Sequence, residues 1–392
     1  MWKRLYVQRG EISIDHLLAS ALRGGAAPWP HGWDSLAQTH AVYDAAIVHG
    51  IAGLLVGEAA ALQGWPVDLM ARLRDHARAQ AMWELRHRQL LDCVLRQLVD
   101  DGVPSLVMKG TAVAYDLYAE PSARSRGDTD LLIPAKDVAQ VEHALAGQGF
   151  TRETPDGVTP EFALQQTWTL TTADGASHSI DLHWQVMNAP SLKDLLSSAD
   201  CFARSRSLPR LSPIARTMDR VRLLIHTCLH RAMQRNVPYF VNGNTYLKPD
   251  RLIWLHDIHL LASSFDARDW TEFCLLAERM GVSASCLDGL RAAQAMLGTM
   301  LPNDVSGRLE QAGQNDRPSR YFVRSHALSR ALQDVRAVPG ASAKLRYMRS
   351  RLLTTEAFMR TKYPHMAGRP LTMLHARRLF DLFRGKVRRT KP

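Results

Sequence analysis

Two strand-like runs, each with acidic side chains on one face, constrain this chain more than any other feature. Asp128-Thr129-Asp130 opens the apolar run Leu131-Leu132-Ile133, and Asp181 lies inside Ser179-Ile180-Asp181-Leu182-His183-Trp184. Side chains alternate faces along a strand, so Asp128 and Asp130 project the same way. In the second run Ile180, Leu182 and Trp184 share one face, and Ser179, Asp181 and His183 share the other. A fold that makes the two strands neighbours brings three carboxylates to one point. Such a cluster repels itself unless cations hold it together. Hard divalent ions with oxygen ligands suit it, Mg2+ above all, with Mn2+ as a substitute. Two ions clamped by Asp128, Asp130 and Asp181 would form a device for displacement at phosphorus.

The residues before the pair point the same way. Val103 to Met108 reads as a short buried strand, Lys109-Gly110-Thr111 as a turn, and Ala112 to Tyr118 as a helix. A helix N-terminus after a glycine turn presents free backbone N–H groups to an anion. Lys109 adds a cation, and Gly110 lets a phosphate come close. Arg124 and Arg126 are further candidates for phosphate contacts.

The string Met108-Lys109-Gly110, Tyr118, Arg124, Gly127-Asp128-Thr129-Asp130-Leu131-Leu132-Ile133 and Ile180-Asp181-Leu182-His183-Trp184 resembles a bacterial family of uncharacterised nucleotidyltransferases. That family belongs to the DNA polymerase beta-like superfamily. Leu224-Ile225-His226-Thr227-Cys228-Leu229-His230 and Arg251-Leu252-Ile253-Trp254-Leu255-His256-Asp257-Ile258 resemble its helical segments, so the likeness runs over roughly residues 85–265. The resemblance implies a small mixed sheet with helices on one side, two metal ions, and attack on the alpha-phosphate of a nucleoside triphosphate (NTP). It makes Asp128 and Asp130 the strand pair of metal ligands, and Asp181 the third carboxylate, beside the attacking group. It departs at Lys109-Gly110, where the superfamily usually has Gly-Ser, and at Thr129, which replaces an aliphatic residue and should face away from the metals.

The expected fold class is α+β: a nucleotidyltransferase-like mixed-sheet core at 89–190, between an N-terminal helical region at 1–88 and a C-terminal helical region at 191–392 with a basic tail. Helices are expected over 12–22 and, in two or three pieces, from Asp34 to Leu98, with a break near Gly64-Trp65-Pro66. Gln166–Thr172 and His178–Trp184 read as a hairpin. Beyond about 190 the pattern is helical to the end, with Pro302–Arg320 as a polar loop. Hydrophobic content of 46% and charged content of 22% suit a soluble globular protein. The net charge of +11 favours anionic partners, nucleic acid among them. Five scattered cysteines without a CxxC suit reduced thiols. The apolar stretch from Ala45 to Leu62 is interrupted by His49 and Glu58, which favours a buried helix pair over a membrane span. The expected location is cytoplasmic.

Other readings remain open. A DxD pair also occurs in sugar-nucleotide glycosyltransferases, but here helices, not a nucleotide-binding βαβ region, precede it. His178 and Asn188 miss the kinase-type spacing around Asp181, although Lys109 is placed to serve a gamma-phosphate. A third alternative is a nucleotide- or nucleic-acid-binding regulatory module without turnover. His183 either orients substrate or Asp181, or makes a structural hydrogen bond. His226 and His230 stand at zinc-binding spacing, but residue 227 is threonine, and a packed pair fits better. The tail from His375 to Pro392 suits an anionic partner or a solvated amphipathic helix. The partners expected are an NTP and an acceptor that the sequence does not name: small molecule, peptide, RNA or protein.

Overall fold

The computed structural model describes residues 13–383, apart from positions 34, 154–161, 163, 236–238, 242–243, 247–249, 324–326, 355, 357–358, 361–362, 364–365 and 367. The chain opens with α1 (Ile14–Leu22), α2 (Leu36–His49), α3 (Ala52–Gly57) and the long α4 (Val67–Asp100). Ser35 and Gln38 form a capping box at the start of α2, and Gly50, at φ 72°, ends it in the left-handed conformation. In the last turns of α4, Leu91, Val94, Leu95 and Leu98 recur at helical spacing and are buried.

The central part follows as β1 (Leu106–Val107), α5 (Lys109–Leu117), β2 (Asp128–Leu132), α6 (Val138–Gly147), β3 (Thr151–Arg152), β4 (Gln165–Thr171), β5 (Ser177–His183), α7 (Ser198–Ala203), β6 (Ser205–Ser207) and β7 (Arg216–Met218). These strands form one seven-stranded mixed sheet in the order β3-β4-β5-β2-β1-β7-β6. The helices α8 (Arg220–Gln234), α9 (Leu252–Ser263), α10 (Ala267–Met280), α11 (Ser283–Leu297), α12 (Asn303–Gly313), α13 (Arg317–Val323), α14 (Ala327–Ala337), α15 (Ala341–Leu352) and α16 (Leu371–Phe383) complete the fold, with the hairpin β8 (Tyr239–Val241) and β9 (Asn244–Tyr246) between α8 and α9. The protein is therefore α+β, with helical regions on both sides of the sheet in sequence. One apolar core runs from Leu17 through the sheet to Tyr321, and a small satellite gathers Met359, Tyr363 and Leu374.

Several local expectations need correction. The strand before the lysine spans only Leu106–Val107, and the helix begins at Lys109 itself, so Lys109-Gly110-Thr111 is the first turn of α5. The chain is not purely helical beyond 190, because β6 and β7 add to the edge of the main sheet, which thus draws on both sides of that position. Pro302–Arg320 is not a loop: it contains α12, which buries Val305 and Leu309, one turn apart. Ala45 to Leu62 is the end of α2 plus α3, and no helix among the described residues is long and apolar enough to cross a membrane. Of the basic tail, residues 384–392 lie outside the described residues.

Candidate active site

The two acidic strands are neighbours. β2 and β5 pair in parallel, with Asp130 opposite Asp181 and Asp128 opposite Ser179. Ile180 and Leu182 are fully buried in the core, which leaves Asp181 on the other face. Thr129 faces away from the carboxylates, where its hydroxyl meets Thr111 Oγ1 at 2.9 Å and His87 Nε2 at 2.8 Å. His183 Nε2 lies 2.9 Å from Asp130 Oδ1, and its Nδ1 lies 3.2 Å from Asn188 Oδ1. Asn188 in turn donates to Gln165, and Thr167 Oγ1 donates to Asp181 Oδ1 at 2.7 Å. Asp130, Asp181 and His183 each offer one ligand atom within 4.8 Å of the others. The tight group is therefore Asp-Asp-His. Asp128 stands one step outside it, exposed toward the cavity.

The charges at this point are strongly coupled. Burial opposes the ionised form of Asp130, but Lys109 and His183 outweigh it and hold the carboxyl well below the usual range. Burial in the cavity, with the charges of Asp130 and Asp181, pushes Asp128 up to about 6. Burial and Asp130 also raise Asp181, against the Thr167 hydrogen bond. Lys109 forms an ion pair with Asp130. Burial pulls its pKa down, yet Asp130, Asp128 and Asp181 raise it overall, so it stays a cation. Its backbone sits at φ 49°, in the left-handed region, where a non-glycine residue is uncommon. The turn thus accepts local strain to aim the ammonium at the carboxylates.

The other expected phosphate contacts are placed differently. Arg124 is tied to α9: its Nε and Nη2 reach Asp257 at 3.1 and 2.6 Å, and Tyr118 Oη adds a 2.7 Å bond to the same carboxylate. The guanidinium lies directly over Gly110, where a Cβ would come within 3.0 Å of Nη1, Cζ and Nη2. Glycine is therefore required here by the arginine, not only by an approaching phosphate. Arg126 is buried in an ion pair with Glu84 and stacks near the Tyr115 ring. The hydroxyl of Thr111 is turned inward to Thr129. What remains for an anion is the start of α5, which has no side-chain cap, so its first N–H groups lack intrahelical partners.

These groups line one cavity of about 730 Å³. Lys109, Gly110, Arg124 and Arg126 border it on the α5 side, and His230 and Gln234 from α8, Arg251 just before α9 and Trp254 from α9 also line it. Gln165, Thr167, Ser179, Asn188 and Glu153 border it beyond Asp181. Thr167 is the residue that the sequence signals missed, while Asn188, weighed there only for kinase-type spacing, and Asp257, which lies in the family-like helical segment, take the roles of partners to His183 and Arg124. His226 and His230 gather no third ligand: among the described residues the one group able to hold a metal is Asp130, Asp181 and His183. Carboxylate oxygens with one imidazole, and an ammonium already drawn against Asp130, fit a divalent cation.

No curated protein is significantly similar to the chain. A family described as "Uncharacterised nucleotidyltransferase" matches residues 35–298, a span that contains the whole sheet and helices α2 to α11. The chain belongs to this uncharacterised nucleotidyltransferase family.

Proposed function

We propose that the protein transfers a nucleoside monophosphate from an NTP to an acceptor and releases pyrophosphate. The observation that carries this reading is the pairing of Asp130 with Asp181 across parallel strands on the cavity floor, beside the open N-terminus of α5. Asp128, Asp130 and Asp181 are the residues to hold two Mg2+ ions, or Mn2+ in their place, with His183 against the same carboxylate. Bound divalent ions supply charge neutralisation at the alpha-phosphate.

The chain's own groups divide the remaining work. The triphosphate lies along the start of α5, where the free N–H groups and the Lys109 ammonium offset its charge. Arg124, held over Gly110 by Asp257, fixes the wall of that cradle. His230, Gln234 and Trp254 border the space for the base and sugar. The acceptor hydroxyl approaches from the Asp181 side and gives its proton to the Asp181 carboxylate, which the Thr167 hydroxyl orients from β4. The acceptor oxygen bonds the alpha-phosphorus as the alpha–beta bridge breaks.

Incubation with Mg2+, mixed acceptors and NTP labelled at the alpha or gamma phosphate tests this reading. Alpha label on the acceptor supports it. Gamma label on the acceptor marks a kinase, and label nowhere with retained NTP binding marks a binding module.

A further inference from the structure

A row of side chains crosses the sheet on the cavity face. Asp130 on β2 stands opposite Asp181 on β5, and Asp181 opposite Thr167 on β4. The Glu153 N–H, just past β3, donates to the Thr167 carbonyl at 2.9 Å. Thr169 Oγ1 donates to Glu153 Oε1 at 2.6 Å and meets Ser179 Oγ at 3.1 Å, which sets the glutamate on this same face. Arg152, the nearest cation in sequence, turns to the other face and pairs with Glu142 on α6. Among the described residues lining the cavity, the flank beyond Asp181 holds no lysine or arginine. The lining cations Lys109, Arg124, Arg126 and Arg251 stand elsewhere, and the first three are paired with Asp130, Asp257 and Glu84.

This asymmetry is informative because the chain carries a net charge of +11. Proteins that take nucleic acid or phosphorylated acceptors line the approach with cations. Here a polyanion would meet Glu153, the lining acid not committed to the metal ions, with no lysine or arginine of that flank to offset it, which disfavours it. We infer that the acceptor is a small, phosphate-free molecule bearing an ammonium group, bound along this row with Glu153 facing the cation and the attacking hydroxyl at Asp181. The inference rests on the nucleotidyl-transfer reading and names its acceptor class. The backbones at Asp181 and Glu153 are two strand spacings apart, roughly 10 Å. Hydroxyl and ammonium thus belong to a molecule of one or two sugar-sized rings. In the transfer, the acceptor O–P bond forms, the bond from the alpha-phosphorus to the pyrophosphate oxygen breaks, and the hydroxyl proton passes to Asp181.

The test uses the full chain, Mg2+ and each alpha-labelled NTP, with a panel of amino sugars, each one's N-acetylated form, and a 5′-phosphorylated RNA oligonucleotide. Label should pass to amino sugars with kcat/KM at least about fivefold above their acetylated forms, the scale of a partly exposed ion pair. Glu153→Gln should erase that preference and leave KM for the NTP unchanged. Equal use of acetylated and free amines, or label on RNA alone, overturns the inference and leaves nucleotidyl transfer standing. If no acceptor is labelled, the inference also falls. Release of labelled NMP to water then shows that cleavage at the alpha position survives, and its absence shows that the transfer reading falls as well.

Discussion

Substitution of Gly110 by alanine tests how the first turn of α5 is built. An added Cβ would stand within 3.0 Å of Arg124 Nη1, Cζ and Nη2. The guanidinium cannot move aside freely, because it holds both oxygens of the buried Asp257. Displacing it leaves Asp257 with the Tyr118 hydroxyl and no cation. Breaking one side of a buried ion pair costs about 3–5 kcal/mol. Alanine in a helix recovers about 1 kcal/mol over glycine. Gly110→Ala should therefore destabilise the protein by about 2–4 kcal/mol, read in urea unfolding as a lower midpoint at unchanged slope. In an Arg124→Ala background the same methyl has room, so the two changes should couple by at least about 2 kcal/mol. A cost under about 0.5 kcal/mol for Gly110→Ala alone, or one that survives without the arginine, would show that Arg124 does not dictate the glycine. A glycine kept only for phosphate approach would instead leave stability intact and raise KM for the NTP.

Asp257→Asn should release Arg124 from its fixed orientation and raise KM for the NTP by about tenfold with a smaller change in kcat, measured by steady-state kinetics, and Tyr118→Phe should do less, since a neutral donor is worth about 1 kcal/mol. Asp130→Asn and Asp181→Asn should each reduce alpha-label transfer by at least about a hundredfold while circular dichroism stays unchanged. The contribution of Asp128 to the stability of the metal-free protein should fall as pH rises from about 4 to 6, because folded Asp128 keeps its proton up to about 6 and the unfolded residue releases it near 3.8, whereas the buried His87, His230 and His256, held below their usual range, contribute in the opposite direction. That shift corresponds to about 3 kcal/mol, which the solvent at this exposed residue reduces to about 1 kcal/mol; the stability of the wild type relative to Asp128→Asn, read in urea unfolding, should therefore fall by about 1 kcal/mol between pH 4 and 6.

The strands that carry the carboxylates were legible because β2 leads into the apolar run Leu131-Leu132-Ile133 and β5 alternates apolar and polar residues from Ser179 to His183, and β4 shows the same period across the turn at Asp174-Gly175. The cores of α2 and α4 were equally plain from their repeats. β6 and β7 were not, since three residues carry no period, and they are strands only because β1 offers an open edge. α12 was hidden by its polar composition, which leaves just Val305 and Leu309 to mark an inner face. At the site, residue types foretold where charge gathers but not which charges pair. Arg124 with Asp257 and Arg126 with Glu84 join residues far apart in sequence, so these two arginines read as free when they are committed. His183, one face-sharing step from Asp181, was visible as a candidate, while its bond to Asp130 depends on the parallel register of β2 and β5.

The central claim is that Asp130 and Asp181 share one divalent cation on the cavity floor. Titration of the protein with Mn2+, followed by electron paramagnetic resonance of the free ion, measures it directly. The structure predicts saturable binding that Mg2+ displaces, weakened by at least about tenfold in either Asp130→Asn or Asp181→Asn. Unchanged Mn2+ affinity in the double variant would contradict it.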